Sequence, residues 1–287
     1  MRALAEYIMR GRVQATIVVL LGSLLPLISP ATVALVSLRR GPLDGIPLLL
    51  WACLPQVVAV WAGVMEPLLC YLYTGSMAVV LITALVLRQT ISWMITLLTI
   101  VLVSAVTAQL IQLFAADLIA ALLAEVQTVV DKVRSEAKLE PQALEPSYIV
   151  AMFAYFMAVM GVLALLLGRW WQALLYNPSG FGSEFRDLKL PMPAAAGLLL
   201  VLVGMITQEN STVGWVGLLS LPLLLVGIAI WHQVVDTLGL GTPWLVLFYM
   251  GLIFVKPFSL LVILMAGLDS WFDFRGMVAR KKGEPRE

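Results

Sequence analysis

Charge is what this chain has least of. Asp, Glu, Lys and Arg make up 12% of its 287 residues, against 61% hydrophobic ones, and the mean hydropathy is +0.99. A soluble domain carries about 25% charged residues to cover its surface. A water-facing exterior cannot be built from this composition, so a polytopic membrane protein is expected. Histidine is nearly absent: His232 stands alone, which rules out a His-Glu-x-x-His zinc site. The two cysteines, Cys53 and Cys70, lie in apolar runs and read as small packing residues, not as a disulfide or metal pair. A basic excess is also missing. The 18 Lys plus Arg and 17 Asp plus Glu leave a net charge of +1, which excludes a surface for nucleic acid. Neither a Gly-x-Ser-x-Gly elbow nor a Gly-x-x-x-x-Gly-Lys loop occurs, so no cofactor is expected and the chain does not read as an enzyme.

Long apolar runs are abundant. Eight of them approach or exceed the roughly 20 residues that carry a helix across a bilayer: 13–38, 46–64, 67–87, 91–115, 148–168, 192–208, 212–232 and 243–267. Arg2, Arg10 and Arg12 precede the first, as in a signal peptide, but no Ala-x-Ala site follows and the run is read as a retained element. Two runs contain prolines at their centres, Pro26 and Pro30 in the first and Pro257, after Lys256, in the last. Proline removes a backbone donor and clashes with the preceding turn, so each of these runs is expected to fold back as a hairpin of two half-helices.

The distribution of positive charge favours that reading, because Lys and Arg in short loops face the cytoplasm. With two hairpins and a cytoplasmic N-terminus, fourteen basic residues fall inside, among them Arg39, Arg40, Arg88, Arg169, Arg186 and Lys189, while Lys132, Arg134 and Lys138 fall outside. With two straight spans the division is eleven to six. The expected fold is therefore a single all-α membrane domain over 1–287. It comprises about six full spans, two proline-broken terminal hairpins and one amphipathic external helix, with both ends of the chain cytoplasmic.

That external element is the polar stretch 114–146. Leu118, Leu122, Val126, Val129 and Val133 recur at helical spacing among Glu125, Asp131, Lys132, Arg134 and Glu136, and Pro141 and Pro146 end the pattern. Its apolar stripe fits a lid on the protein itself, with a partner chain as the less favoured alternative. In the fifth run, Ala151, Ala154, Ala158 and Gly161 form a small-residue seam, extended towards Gly168. Small residues let helices approach where lipid gives no hydrophobic drive, and internal packing is preferred over contact with another membrane protein. Trp93, Trp170, Trp171, Trp231, Trp244 and Trp271 fall near run ends, where headgroup anchoring is expected.

Few polar groups remain for chemistry. His232 and Asp236 are four residues apart and can meet on one helix face, most simply as an interfacial pair. Lys256 sits at the tip of the last hairpin, or is buried if that run is straight. Trp61, Glu66, Tyr71 and Tyr73 surround the second external turn and offer aromatic walls and a polar contact for a small ligand, against the simpler reading of an ordinary turn.

Two short stretches are distinctive. One is Gly267-Leu268-Asp269-Ser270-Trp271-Phe272-Asp273-Phe274-Arg275, where Asp269 or Asp273 can pair with Arg275. The other is Glu184-Phe185-Arg186-Asp187-Leu188-Lys189-Leu190-Pro191. Together with the hydrophobic layout, they resemble the YybS-like family of bacterial inner-membrane proteins, which is distantly similar to the substrate-binding subunits of energy-coupling-factor transporters. The resemblance implies an inner-membrane location, six membrane helices and a small-molecule binding or uptake role, and it carries over no ligand residue. The competing functions are a structural or regulatory partner of another membrane protein and, last, an intramembrane enzyme dependent on His232.

Overall fold

The computed structural model describes residues 1–140, 143–207 and 213–281, with side chains for all of these except Lys256 and residues 278–281. The expected helix terminator Pro141, the side chain of Lys256 and the basic tail lie outside the described set. Every regular element within it is helical, as hydrocarbon demands: a helix satisfies its own backbone donors and acceptors where water cannot. In chain order the helices are α1 (Arg2–Arg10), α2 (Arg12–Gly22), α3 (Ile28–Arg40), α4 (Pro42–Trp61), α5 (Pro67–Thr90), α6 (Trp93–Phe114) and α7 (Ala116–Glu136). They continue with α8 (Pro146–Tyr176), α9 (Gly180–Arg186), α10 (Met192–Ile206), α11 (Val213–Leu238), α12 (Thr242–Phe254), α13 (Lys256–Phe272) and α14 (Phe274–Lys281).

Five of these helices, α4, α5, α6, α8 and α11, are long and apolar enough to cross a membrane, and the bent pair α12 and α13 makes up to six. The chain is thus an all-α polytopic bundle. The run 192–208 is shorter than expected: α10 has 15 residues, about 22 Å at about 1.5 Å per residue, and falls short of a full span.

Both proline-interrupted runs are broken. Between α2 and α3 the chain turns at Ser23–Leu27, with Pro26 in the turn and Pro30 in the first turn of α3, where no intrahelical donor is needed. Arg40 Nη2 donates to Met9 O at 2.7 Å and Arg12 Nε to Asp44 Oδ1 at 2.8 Å. The end of α3 therefore lies beside the start of α2, and the pair is an antiparallel hairpin. At the second break Val255 is extended and α12 and α13 are bent by 116°, an open V.

The described helices fall into two compact units, residues 1–176 with 213–218, and 177–207 with 219–281. In the first unit α3 is the centre. Every residue from Ser29 to Leu38 is buried, and α2, α4, α5 and α8 surround the helix. One end of this unit gathers basic groups. Arg88 Nη1 donates to Leu38 O at 2.9 Å, and the Arg39 guanidinium lies 4.3 Å from the Tyr176 ring centroid. Arg40 and Arg12 are also at this end, both paired with Asp44. The opposite end carries the Trp61–Pro67 turn and α7.

The seam of α8 is filled by the chain itself. Ala151, Ala154 and Ala158 have no exposed surface, and a Cβ on Gly161 would stand 3.0 Å from Val79 Cγ1 on α5. These residues therefore serve internal contact and offer nothing to a partner. Trp171 is a correction of another kind: it is fully buried inside the first unit, not a headgroup anchor, because α8 extends beyond the predicted run to Tyr176.

The external helix is present as α7, but the face it buries is shifted. Ile119 is its one buried residue, while Val129 and Val133 of the expected stripe are 63% and 58% exposed. Gln127 Oε1 accepts from Leu144 N at 2.7 Å, and Arg134 Nε donates to Glu140 O at 2.6 Å, tying the returning loop to the helix.

Candidate functional site

A membrane interior makes polar side chains accountable, since an unmet hydrogen-bonding group there costs several kcal/mol, about 4–8 in a hydrocarbon reference. Most hydroxyls in the first unit settle this locally. Thr32, Ser76, Thr83 and Thr96 each donate to the carbonyl four residues earlier, at 2.6–2.8 Å. Among the described residues, six buried polar atoms lack a partner in strict hydrogen-bonding geometry: Ser29 Oγ, Ser37 Oγ, Gln56 Oε1, Tyr73 OH, Ser104 Oγ and Trp171 Nε1.

Two of the six belong to residues that line one space. Gln56 on α4, 6% exposed, and Tyr73 on α5 line a chamber of about 330 Å³ beside the first proline break. Ser23, Leu24, Pro26 and Pro30 from the break form one wall, and Met77, Val80, Phe156 and Met160 from α5 and α8 form another. The Tyr73 hydroxyl has the Ser29 hydroxyl beside it as a polar neighbour, in a looser geometry than a strict hydrogen bond. No charged side chain lines the chamber among the described residues. The volume is near the lower end of ligand pockets, which run from about 300 Å³. The proline break creates this space, because a continuous helix through 13–38 would carry side chains where the turn leaves a gap.

A cleft of about 410 Å³ lies next to it, under α7. Glu66, Leu68 and Leu69 from the start of α5, Leu118, Ala121, Leu122 and Glu125 from α7, and Phe153 from α8 form its walls. Leu69 belongs to both spaces.

The four residues expected around the second external turn do not converge. Tyr73 faces the chamber and Glu66 the cleft, whereas Trp61 is 88% exposed and Tyr71, two residues from Tyr73, points from the opposite side of α5. Gln56 was not anticipated; the signal available was an amide in the middle of a strongly apolar run, one turn from Cys53.

His232 and Asp236, expected to pair with each other, find different partners in the second unit. His232 Nε2 meets Tyr249 OH at 2.9 Å with Phe185 edge-on, and Asp236 meets Arg186 at 3.4 Å. Both line an open cleft of about 380 Å³ with Arg186 and Thr242. Among the described residues, no three of His, Cys, Asp and Glu come together as metal ligands.

The two distinctive stretches do meet. Arg275 Nε donates to Asp269 Oδ2 at 3.1 Å, with the side chains 3% and 1% exposed. Its remaining nitrogens donate to Arg186 O at 2.7 Å, Leu188 O at 2.9 Å and Gln233 Oε1 at 3.4 Å. Lys189 Nζ pairs with Asp273 Oδ1 at 3.1 Å, and Ser270 Oγ donates to Leu190 O at 3.0 Å. Asp273 takes a left-handed backbone at φ 49°, ending α13 so that α14 can turn back and deliver Arg275. Trp271 stays outside this knot, 41% exposed. The arrangement fastens a loop to a helix corner and commits four of the five guanidinium N–H groups within the protein. No family model matches this chain, and neither curated proteins nor solved structures show a match to it.

Proposed function

We infer that this integral membrane protein binds a small molecule in the chamber between α3, α4, α5 and α8, as a binding or transport-related subunit. The observation that carries this reading is a largely apolar space of about 330 Å³ beside the proline break, with the polar residues Gln56 and Tyr73 in its wall and no charged side chain lining it among the described residues. Met65, Met77 and Met160 give the wall adaptable surface. The resemblance to the YybS-like family points the same way, as does its implied inner-membrane location.

The test is a paired measurement. Gln56→Leu is expected to raise the melting temperature of ligand-free protein, since it removes an unmet acceptor worth about 1–3 kcal/mol. It is also expected to empty organic extracts of the purified protein of a small molecule that wild-type extracts contain. Identical extracts together with a lowered melting temperature would sink the reading.

The basic end of the first unit is placed in the cytoplasm, following the bias of Lys and Arg. On a background lacking Cys53 and Cys70, an impermeant maleimide should label Ala62→Cys in intact cells and leave Arg40→Cys unlabelled; the reverse pattern inverts the orientation. A second reading, regulation of another membrane protein, rests on the exposed Val129 and Val133 of α7. Replacing both with Lys should then release a co-purifying partner while ligand content is unchanged.

A further inference from the structure

We propose that the recess between α2, α3 and α4, at the basic end of the first unit, seats one anionic phospholipid. Its phosphate meets Arg12 and Arg40, and an acyl chain runs down the outer face of α4 past Trp51. The recess shares no lining residue with the chamber among the described residues, so it stands apart from the small-molecule reading.

Charge is the first observation. Arg10, Arg12, Arg39, Arg40 and Arg88 gather at this end, and the carboxylate set among them is that of Asp44, since Glu6 is taken up by Arg2 at 2.9 Å. Asp44 receives Arg12 Nη2 at 2.6 Å and Arg40 Nη1 at 3.6 Å. Two guanidiniums on one carboxylate leave a positive charge over. Arg12 commits Nε and Nη2 to Asp44, its side chain is 78% exposed, and its Nη1 group has no protein partner among the described residues. A phosphate, with several acceptor oxygens, matches such an open guanidinium edge.

Depth is the second observation. The recess, of about 120 Å³, passes from Arg12, Arg40 and Asp44 to Pro47, Leu48 and Trp51 along α4. Asp44 and Trp51 are seven positions apart, about 10 Å at about 1.5 Å per residue. The headgroup layer on each side of the hydrocarbon is about 5–7 Å thick. With the charges level with the phosphates, Trp51 therefore lies at the top of the acyl chains, where an indole is favoured. The surfaces on either side continue this pattern. Val13, Ile17 and Leu21 on α2 and Leu50 and Leu54 on α4 are all exposed and apolar, so lipid chains lie against both helices. The occupant is thus an amphiphile and not a free anion: the groove takes a chain, and the arginines select the headgroup that comes with it.

Brominated phospholipids test this, because bromine quenches indole fluorescence on contact. The full-length protein is placed in phosphatidylcholine nanodiscs that contain a minor fraction of lipid brominated near the carboxyl end of its chains, either phosphatidylglycerol or phosphatidylcholine. The signal of Trp51 is the difference between wild type and Trp51→Phe. Brominated phosphatidylglycerol is expected to be favoured at Trp51 about fivefold over brominated phosphatidylcholine, equivalent to about 1 kcal/mol, the scale of one arginine at a membrane surface. Arg12→Gln replaces an exposed side chain and should remove most of that preference, whereas Arg12→Lys, which keeps the charge, should retain most of it. Arg10→Gln, at the same end but outside the recess, should leave it unchanged. Equal quenching by the two lipids in wild type overturns the proposal, as does a preference that Arg12→Gln leaves intact. An equal loss in Arg10→Gln and Arg12→Gln overturns it too, because the selection then belongs to the field of the whole basic end and not to this recess.

Discussion

Gly168→Val is expected to destabilise the protein by about 3 kcal/mol, the upper end for forcing atoms into a filled interior. A domain holds only about 5–15 kcal/mol in total. The reason is local. A Cβ at Gly168 would stand 2.8 Å from Ala34 Cβ, 3.0 Å from Leu35 N and 3.1 Å from Ala31 O. Two of those three atoms are backbone and cannot swing aside, so α8 must part from α3, which has every residue from Ser29 to Leu38 buried. Gly168→Ala should cost less, and Ala34→Gly should recover part of that loss by removing the nearest of the three atoms. Gly197→Val is the control, since a Cβ there meets nothing within 4 Å. Thermal unfolding of the purified variants measures all four. A Gly168→Val protein melting with wild type would mean that α3 and α8 do not approach as described, and the chamber wall they share would go with them.

What the sequence made legible follows from what hydropathy can and cannot distinguish. The prolines at 26, 30 and 257 marked both breaks because proline acts on its own backbone, whatever surrounds it. The spacing of Ala151, Ala154, Ala158, Gly161 and Gly168 marked a close approach because only missing side-chain volume permits one. The burial of α3 on all sides was not legible, since lipid and protein are equally apolar neighbours and a run facing either reads alike. Trp171 shows the same blindness: its position near a run end matched an anchor, and only the extension of α8 to Tyr176 places it inside. The shift of the covered face of α7 from Val129 and Val133 towards Ile119 depends on where the helix begins after Ala115, which no periodicity states. In the candidate site, Tyr73 and Glu66 were found by their nearness to a turn, whereas Gln56 was missed because it lies 17 residues from Tyr73 in a different run and only the fold brings them to one space.

Removing Arg275 alone should be the most damaging single change in the second unit. Arg275→Met leaves the Asp269 carboxylate buried at 1% exposure with its cation gone, a situation that costs about 3–5 kcal/mol. It also strips donors from the carbonyls of Arg186 and Leu188. Arg275→Lys should restore little, because an ammonium cannot reproduce a planar fork that serves Asp269, two carbonyls and Gln233 at once. The double variant Asp269→Leu/Arg275→Met removes the unpaired charge and should be more stable than Arg275→Met alone, though still below wild type, since the two carbonyls remain without donors. Lys189→Ala is expected to cost no more than about 1 kcal/mol, because Lys189 and Asp273 are 45% and 30% exposed and solvent screens their pair. The discriminating quantity is the non-additivity of the Asp269 and Arg275 substitutions in thermal unfolding. A double variant as unstable as the sum of its singles would show that the two side chains are independent, and that the loop Arg186–Leu190 is held to the corner of α13 and α14 by something other than this guanidinium.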